Sequence, residues 1–228
     1  MTVLKSKFIF IFMSVKEKTV NSFSNNDTLR KILSVAEKEF LKKGFRGSSL
    51  REIVKKAGVT TGAFYGYFSS KEELFDALVE EHVEYIKGIY DKILKEFKKN
   101  PLEEQIKNME NYSSLGMKTM FDYVWNHKKV FRLVLKSADG TKYENFIQDI
   151  AKKDIDSTDE FYSILEQYGK KVERIDPLIE EMVITGSFSS FFSLFLRDIP
   201  KEDAERGLNQ LFKFYRGGWN SLMHFADS

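Results

Sequence analysis

The sequence predicts an all-α fold of about nine helices. Only 3 of the 228 residues are proline, and apolar residues recur with helical spacing from Asp27 onward. No segment shows the two-residue alternation of a half-buried strand, so we expect no sheet. Hydrophobic residues make up 42% and charged residues 31% of the chain, which is enough apolar content for a packed core. The absence of cysteine excludes a disulfide scaffold, a thiolate metal site and a cysteine nucleophile.

Residues 1–26 are predicted to be a flexible N-terminal arm. Residues 8–13 form an apolar run, which is far shorter than the roughly 20 residues that span a bilayer. No cleavage site of small residues follows the run, so we do not expect a secretory signal and expect a cytoplasmic protein. Either this run is a sticky extension, or the natural start is Met13 and residues 1–12 do not belong to the protein.

Charge is distributed unevenly along the chain. Residues 1–70 carry 13 Lys/Arg and 5 Asp/Glu, a net charge of +8, whereas residues 71–228 have a net charge of −6. A basic front and an acidic back indicate a polyanionic partner at the front only, although short segments also vary in charge by chance.

The front helices carry signals at both ends. An apolar stripe from Leu29 to Leu41 predicts a first helix that ends at Gly44. A capping box at Ser49 and Glu52 opens a short second helix, and Gly58 ends it.

Thr60 is predicted to cap a third helix that runs to about Tyr67. A second capping box, at Ser70 and Glu73, opens a long helix that ends before Asn100 and Pro101. Five further helices are predicted at about 102–126, 128–136, 142–168, 177–197 and 201–225.

Residues 49–68 carry the strongest functional signal. Two short helices joined by a tight turn with glycine at the bend form a helix-turn-helix, whose second helix lies in the major groove of DNA. The apolar residues that would fix the angle between the helices are Ala57, Val59, Phe64 and Phe68. The small or polar residues that would face base edges are Thr60, Thr61, Gly62, Ala63, Tyr65 and Gly66. The alternative is a three-helix packing motif without a ligand.

Residues 28–75 resemble the DNA-binding domain of the TetR family of transcriptional regulators. The resemblance rests on RKILSVAEKEFLKKGF followed by SLREIVKKAGVTTGAFYGYFSSKEELF. It implies a DNA-binding domain at 27–70 and a helical regulatory and dimerisation domain at 71–228. It also implies a dimeric repressor in the cytoplasm that binds operator DNA and is released by a small apolar or aromatic ligand, without catalysis or a cofactor.

The resemblance implies a role for each DNA-binding residue. Thr60 would cap the recognition helix, Thr61 and Gly62 would lie closest to the bases, and Ala63 and Gly66 would share that face. Phosphates would be held by Tyr65, Tyr67 and Lys71, and Ser49 and Arg51 would reach the backbone or an adjacent base. Gly66 stands where many members carry a larger residue, so one contact is expected to be absent or replaced.

The last two helices are predicted to form the dimer interface. The first of them is apolar nearly all round and must be covered on two sides. The proposed interface residues are Phe188, Phe191, Phe192, Phe195, Leu208, Leu211, Phe212, Tyr215 and Trp219. The alternative is that these residues form the core of a single chain.

A stretch rich in Met and aromatic residues is the candidate ligand pocket, because such side chains suit an adaptable apolar cavity. Its residues are Met109, Tyr112, Met117, Phe121, Trp125, Phe131 and Phe146. Ordinary core packing is the alternative for each of them.

Other chemistry finds little support in the sequence. The three histidines, His82, His127 and His224, are far apart, and no metal-binding or phosphate-binding motif occurs. We therefore predict no metal site and no enzyme. Two alternatives to a ligand-released repressor stay open. One is a DNA-binding regulator controlled by a protein partner or by none, and the other is an interaction protein that has lost DNA affinity.

Overall fold

The computed structural model describes the backbone of residues 27–223 and the side chains of residues 27–106 and 116–222. The predicted arm, residues 1–26, lies outside the described residues. Within residues 27–223 the chain forms nine α-helices and one 3₁₀ turn and no strand, which confirms the all-α prediction.

The helices follow one another with short connections. They are α1 (Asp27–Gly47), α2 (Leu50–Ala57), α3 (Thr61–Tyr65), α4 (Lys71–Lys98), α5 (Leu102–Asn126), α6 (Lys128–Ser137), α7 (Phe146–Gln167), α8 (Pro177–Ser193) and α9 (Lys201–Met223), with the 3₁₀ turn (Leu194–Leu196) after α8.

Two glycines end helices where the sequence predicted it. Gly44 interrupts α1 with φ 71° and ψ 168°, and Gly58 follows α2 with φ 66° and ψ 30°. Both φ values lie in the left-handed region, which is costly for residues with a Cβ. The last residues of α1 therefore turn away from the helix axis and lead directly into the connection to α2.

One of the two predicted capping boxes is wrong in detail. Ser49 occupies the N-cap of α2, but its side chain makes no capping hydrogen bond. The neighbouring Ser48 is buried, and its hydroxyl donates to the Phe45 carbonyl over 2.7 Å. At α4 the Ser70 hydroxyl accepts from the Glu73 amide at 3.1 Å, as predicted, whereas the Glu73 carboxylate accepts from Ser69 at 2.6 Å.

The predicted start of α7 at residue 142 is also wrong, because the chain makes turns up to Asn145. Gly140 has φ 85°, and the Thr141 amide donates to the Ala138 carbonyl over 2.9 Å. The Thr141 hydroxyl accepts from the Tyr143 amide at 3.1 Å. These local bonds compete with helix formation, as hydroxyl side chains commonly do.

An aromatic cluster joins the front helices to α4. The rings of Phe40 and Phe75 meet edge to face with centroids 5.1 Å apart, and Phe45 lies 5.5 Å from Phe75. Tyr143, from the connection between α6 and α7, lies 6.1 Å from the other side of Phe75. The core is therefore continuous from α1 through α4 into the second half of the chain.

The predicted dimer interface is corrected in its central residues. Phe188, Phe191, Phe192 and Phe195 are buried within the single chain, and Leu208 is buried with them. Phe192 packs edge to face on Phe146 at 5.1 Å. These rings fill the space between α8 and its neighbours α6 and α7, so the intrachain alternative holds for them. The partly buried members of the predicted set are Leu211, Phe212, Tyr215 and Trp219.

Within residues 27–223, one segment, Pro177–Leu196, is long and apolar enough to cross a bilayer by length and composition. A core helix of a soluble protein passes the same test. Here the phenylalanines of α8 are buried against other helices, whereas Leu178, Ile179 and Met182 of the same helix are exposed.

Candidate nucleic-acid interface

The helix predicted to read DNA is short and held by its cap. The Thr60 hydroxyl accepts a hydrogen bond from the Ala63 amide at 3.0 Å, which confirms Thr60 as the N-cap of α3. After Tyr65 the chain continues through two further turns, in which the Tyr67 and Phe68 amides both donate to the Phe64 carbonyl. The first amides of α3 are left at an exposed helix end, where backbone N–H groups attract phosphate.

Phe64 anchors α3 to the rest of the domain. Its side chain is fully buried, and its ring lies 5.7 Å from the ring of Phe68. Ala57 and Phe68 are buried as well, and Val59 packs against the same core. The four residues predicted to fix the angle between α2 and α3 thus do so by packing.

The opposite face of α3 is open to solvent. Thr60, Thr61, Gly62, Ala63, Tyr65 and Gly66 are all exposed. Tyr65 is the only large side chain among them, and 55% of it is accessible. The side chains in the first turn of this face are therefore small enough for α3 to approach a DNA groove closely. The phenol of Tyr65 projects beside them. Tyr67 is half-buried.

Gly66 is a tight position. A Cβ on Gly66 would lie 3.3 Å from the Ala63 carbonyl oxygen, although its φ of −72° is ordinary. A larger residue would need a small adjustment of α3, which gives a local reason for glycine here.

Lys71 has contacts inside the protein that the sequence did not indicate. Its ammonium donates to the carbonyls of Phe45 at 2.8 Å and Ser48 at 3.2 Å, and lies 4.3 Å from the centroid of the Phe45 ring. It ties the first turn of α4 to the end of α1. The predicted phosphate contact remains a prediction. A DNA phosphate at this position would bind an ammonium group that already donates hydrogen bonds to two backbone carbonyls.

The predicted contacts from α2 differ in accessibility. Arg51 is exposed in the first turn of α2, whereas Ser49 is half-buried. Beneath α2 the buried carboxylate of Glu39 binds Lys43 and Lys56, each at 2.6 Å. The hydrogen bonds from these two ammonium groups lower the pKa of Glu39 to about 2. Both lysines, whose charges sequence reasoning would assign to the positive face, are therefore paired with Glu39, and Lys56 links α2 to α1.

The connection between α6 and α7 contacts both the front helices and α4, which no local sequence pattern indicates. Arg46 pairs with Asp139 at 3.4 Å. Lys142 binds Asp76 at 2.9 Å and Glu80 at 2.6 Å, and these bonds raise the pKa of Lys142. Residues 138–145, which we call the coupling loop, thereby connect the second half of the chain to the helices that carry α3.

The predicted ligand-pocket residues fall in a packed aromatic region. Phe121, Phe131 and Phe146 are buried, and Met117 and Trp125 are partly buried. Phe121 lies 5.6 Å from Trp125 and 5.3 Å from Phe195. The side chains of Met109 and Tyr112 lie outside the described residues. Among the described residues of this region, the aromatic rings pack directly against one another.

Two surface depressions occur elsewhere. One, of about 420 Å³, is lined by Asp91, Leu94, Lys95, Lys98 and Lys99. The other, of about 280 Å³, is lined by Val134, Leu135, Lys136, Ala138, Asp139, Glu144 and Asn145 at the coupling loop. Among the described side chains no group of three or more metal-ligating residues occurs.

Residues 32–78 match the family model described as bacterial regulatory proteins, tetR family. The chain is 30% identical over 110 residues to the HTH-type transcriptional regulator YdgC of Bacillus subtilis, covering 47% of this chain and 52% of YdgC. It is 40% identical over 63 residues to the HTH-type transcriptional repressor NemR of Escherichia coli strain K12, covering 28% of this chain and 32% of NemR. The matches thus span about half of one relative and a third of the other.

The fold is similar to a solved member of the TetR transcriptional regulator family from Streptomyces coelicolor A3. The TM-score is 0.56 at 17% identity, and the match covers 82% of this chain and 90% of that one. The family model matches the chain from within α1 to the first two turns of α4, and the structural similarity shows that the fold is shared over 82% of the chain. Residues 32–78 thus match the TetR family of bacterial transcriptional regulators, and the chain has the fold of a solved member of that family.

Proposed function

We propose that this protein is a dimeric, sequence-specific DNA-binding transcriptional regulator, most simply a repressor that a small ligand releases from its operator. The observation that carries the proposal is the exposed face of α3, held outward by the buried Phe64. The small residues in the first turn of this face leave room for the helix to approach base edges in a groove. The proposal assigns the protein no catalytic role and places it in the cytoplasm.

Residues 27–70 are proposed as the reading domain. Thr61 and Gly62 would lie nearest the bases, because they stand in the exposed first turn of α3. Tyr65 and Arg51 are exposed and would contact phosphates, whereas Lys71 would do so only in addition to its bonds within the fold. The basic charge of the front of the chain supports this orientation.

Residues 71–228 are proposed to dimerise and to regulate. A two-fold dimer places two recognition helices about one turn of DNA apart, roughly 34 Å. Since the phenylalanines of α8 are used within the chain, the dimer face is proposed to use the exposed apolar residues of α8 and α9. These are Leu178, Ile179, Met182, Phe214 and Leu222. An exposed apolar surface of this kind is a common mark of an interface.

Release by a ligand is the finer part of the proposal. NemR is a repressor by its name, and its similarity to this chain covers only 63 residues. The aromatic packing around Phe121 and Phe131 favours a second candidate, in which a protein partner or no effector controls DNA binding.

A selection experiment tests the DNA-binding proposal. Purified protein should enrich one sequence from random duplex DNA, and Tyr65→Phe should weaken binding to specific and unrelated duplexes alike, because a phosphate donor is lost. Thr61→Val should instead change the sequence preference. The matched control is Thr158→Val, since Thr158 lies on α7 away from α3. Equal retention of all duplexes, with no effect of either front variant, would refute the proposal.

A further inference from the structure

Four polar residues meet where α4, α7 and α8 pack together. We call Tyr90, Asp154, Tyr162 and Glu180 the acidic cluster. The Tyr90 hydroxyl donates to the half-buried Asp154 carboxylate, and the Tyr90 ring lies edge to face on Phe188 at 5.7 Å. Tyr162 and Glu180 come from facing helices, and the charge of Glu180 helps raise the pKa of Tyr162, after burial itself, to about 12. The charge of Asp154 also acts on Glu180, so the two pairs of residues are electrostatically coupled.

One carboxylate oxygen and one phenol of the acidic cluster have no side-chain partner. Tyr162 is 1% exposed and Glu180 is 3% exposed. Among the described residues Glu180 Oε1 has no hydrogen-bond partner, and the Tyr162 hydroxyl has no side-chain partner, although the Ile175 backbone acts to lower its pKa. A buried carboxylate oxygen and a buried phenol without side-chain partners are costly to maintain, so a group that donates hydrogen bonds to them would be strongly favoured.

Nearby cations are already engaged. The Arg174 guanidinium lies 5.4 Å from the Tyr162 ring centroid, but it binds Glu166 through two hydrogen bonds of 2.9 and 3.0 Å. Arg174 also reaches Asp159 at 3.5 Å. In the described part of the chain, neither Asp154 nor Glu180 forms an ion pair. Burial, together with the charges of Asp159 and Asp154, raises the pKa of Glu180.

We propose that the acidic cluster binds the positively charged group of a small organic effector, an ammonium or amidinium. Such a group donates hydrogen bonds to Glu180 and Tyr162 and places its charge between two carboxylates. This inference rests on the proposed function and specifies its ligand class: an organic cation, with its charged end between α7 and α8.

A matched pair of probes tests the charge requirement. Benzamidine is cationic at neutral pH, and benzamide has nearly the same shape without the charge. With the full chain, benzamidine should raise the melting temperature progressively, with the logarithm of its concentration at saturating levels, and bind at least about tenfold more tightly than benzamide by calorimetry. Phenylguanidine and benzyltrimethylammonium extend the panel to a larger and a quaternary cation.

Two variants and one control locate the binding. Glu180→Gln should lose about tenfold or more of the affinity for the cation, and Tyr162→Phe should lose less, since it removes one acceptor. Glu181→Gln is the matched control, because Glu181 is exposed and next to Glu180 on α8. Melting curves without probe establish that each variant folds, and Glu180→Gln should melt at or above the wild-type temperature.

Distinct outcomes separate this inference from the proposed function. If no cation in the panel binds more tightly than benzamide, or if Glu180→Gln binds cations like wild type, the acidic cluster is not a cation site. If the protein selects a duplex but cations never change its retention, the cluster does not control DNA binding and this inference fails alone. If no duplex is selected at all, the proposed function fails, whereas the cation measurements still decide whether the cluster binds.

Discussion

At the scale of single residues, Lys71 shows how one side chain can serve the fold and the candidate interface together. Its ammonium bonds to two carbonyls at the end of α1, while its position at the start of α4 is the one the family resemblance assigns to a phosphate contact. Sequence spacing places the residue correctly but does not reveal its internal partners, because these depend on how the end of α1 turns at Gly44.

Lys71→Met tests this double role, since methionine keeps an apolar stem over Phe45 and removes the donors. We expect a loss of about 1–2 kcal/mol in unfolding free energy, from two charged hydrogen bonds in a partly buried site. Urea unfolding measures it, and Lys55→Met, at an exposed position of α2, is the control. Wild-type stability combined with a reduced salt dependence of DNA binding would show that Lys71 serves phosphate alone.

His82 is the residue whose ionisation the fold suppresses most clearly. Its Nδ1 lies 2.9 Å from the Tyr123 hydroxyl, and its ring centroid lies 4.4 Å from that of His127. Burial, with the charge of His127, lowers the pKa of His82 to about 4. The folded chain thus binds fewer protons than the unfolded chain between that value and the ordinary pKa near 6.5.

Stability should therefore be constant above about pH 6.5 and fall as the pH drops toward 4. We expect His82→Gln to reduce this fall by about 1 kcal/mol at pH 5, a modest figure because solvent screens part of the effect. Thermal melts across pH 4.5–8 measure it, with wild type as the reference. An unchanged pH profile in the variant would assign the sensitivity to other groups.

At the scale of helices, glycine governs how closely α4 and α5 approach. A Cβ on the buried Gly116 would lie 2.7 Å from Cδ1 of Ile93 and 3.2 Å from its Cγ2. No heavy atom lies within 4 Å of the corresponding position at Gly88, in the middle of α4.

Gly116→Ala should thus destabilise the protein by about 1–3 kcal/mol through overpacking. Gly88→Ala should stabilise it by up to about 1 kcal/mol, since alanine is the better helix former. Ile93→Val should recover part of the loss in the Gly116→Ala background. Chemical unfolding of the three variants decides this, and equal stability of the two single alanine variants would mean that α5 can move away from α4 without cost.

Helix limits were largely predictable because local chemistry sets them. Gly58, Thr60 and Ser70 act within a few residues of their own positions, and each lies where its pattern indicated. The start of α7 was missed because competing bonds of Thr141 override the apolar period. The prediction that the phenylalanines of α8 lie in a dimer interface is wrong, since they are buried within the chain. A helix that is apolar on all sides must be covered, but its sequence does not indicate whether its own chain or a partner covers it.

The candidate site divides in the same way. The outward face of α3 follows from the alternation of small residues around Phe64, which sequence alone displays. The coupling loop and the acidic cluster depend on contacts between residues more than 60 positions apart, such as Lys142 with Glu80 and Asp154 with Tyr90. No local pattern reports such pairs.

At the scale of the whole molecule, the distribution of exposed apolar side chains makes the dimer proposal testable. Phe214 is 74% exposed on α9, whereas Phe191 on α8 is buried. Phe214→Glu should shift the protein toward monomer in sedimentation equilibrium and leave its melting temperature nearly unchanged at low concentration. Phe191→Glu should instead prevent folding, because it places a charge in the core. A Phe214→Glu protein that remains fully dimeric would place the interface elsewhere.

The length of α4 has a mechanical consequence. Its 28 residues form a rod of roughly 42 Å, which holds Phe75 among the front helices and Tyr90 in the acidic cluster. Rotating such a rod by only about 5° about one end sweeps the other through an arc of about 3.7 Å, close to the spacing of successive base pairs. A displacement at Tyr90 too small to disturb the packing there would therefore put the two α3 helices of a dimer out of step with their half-sites.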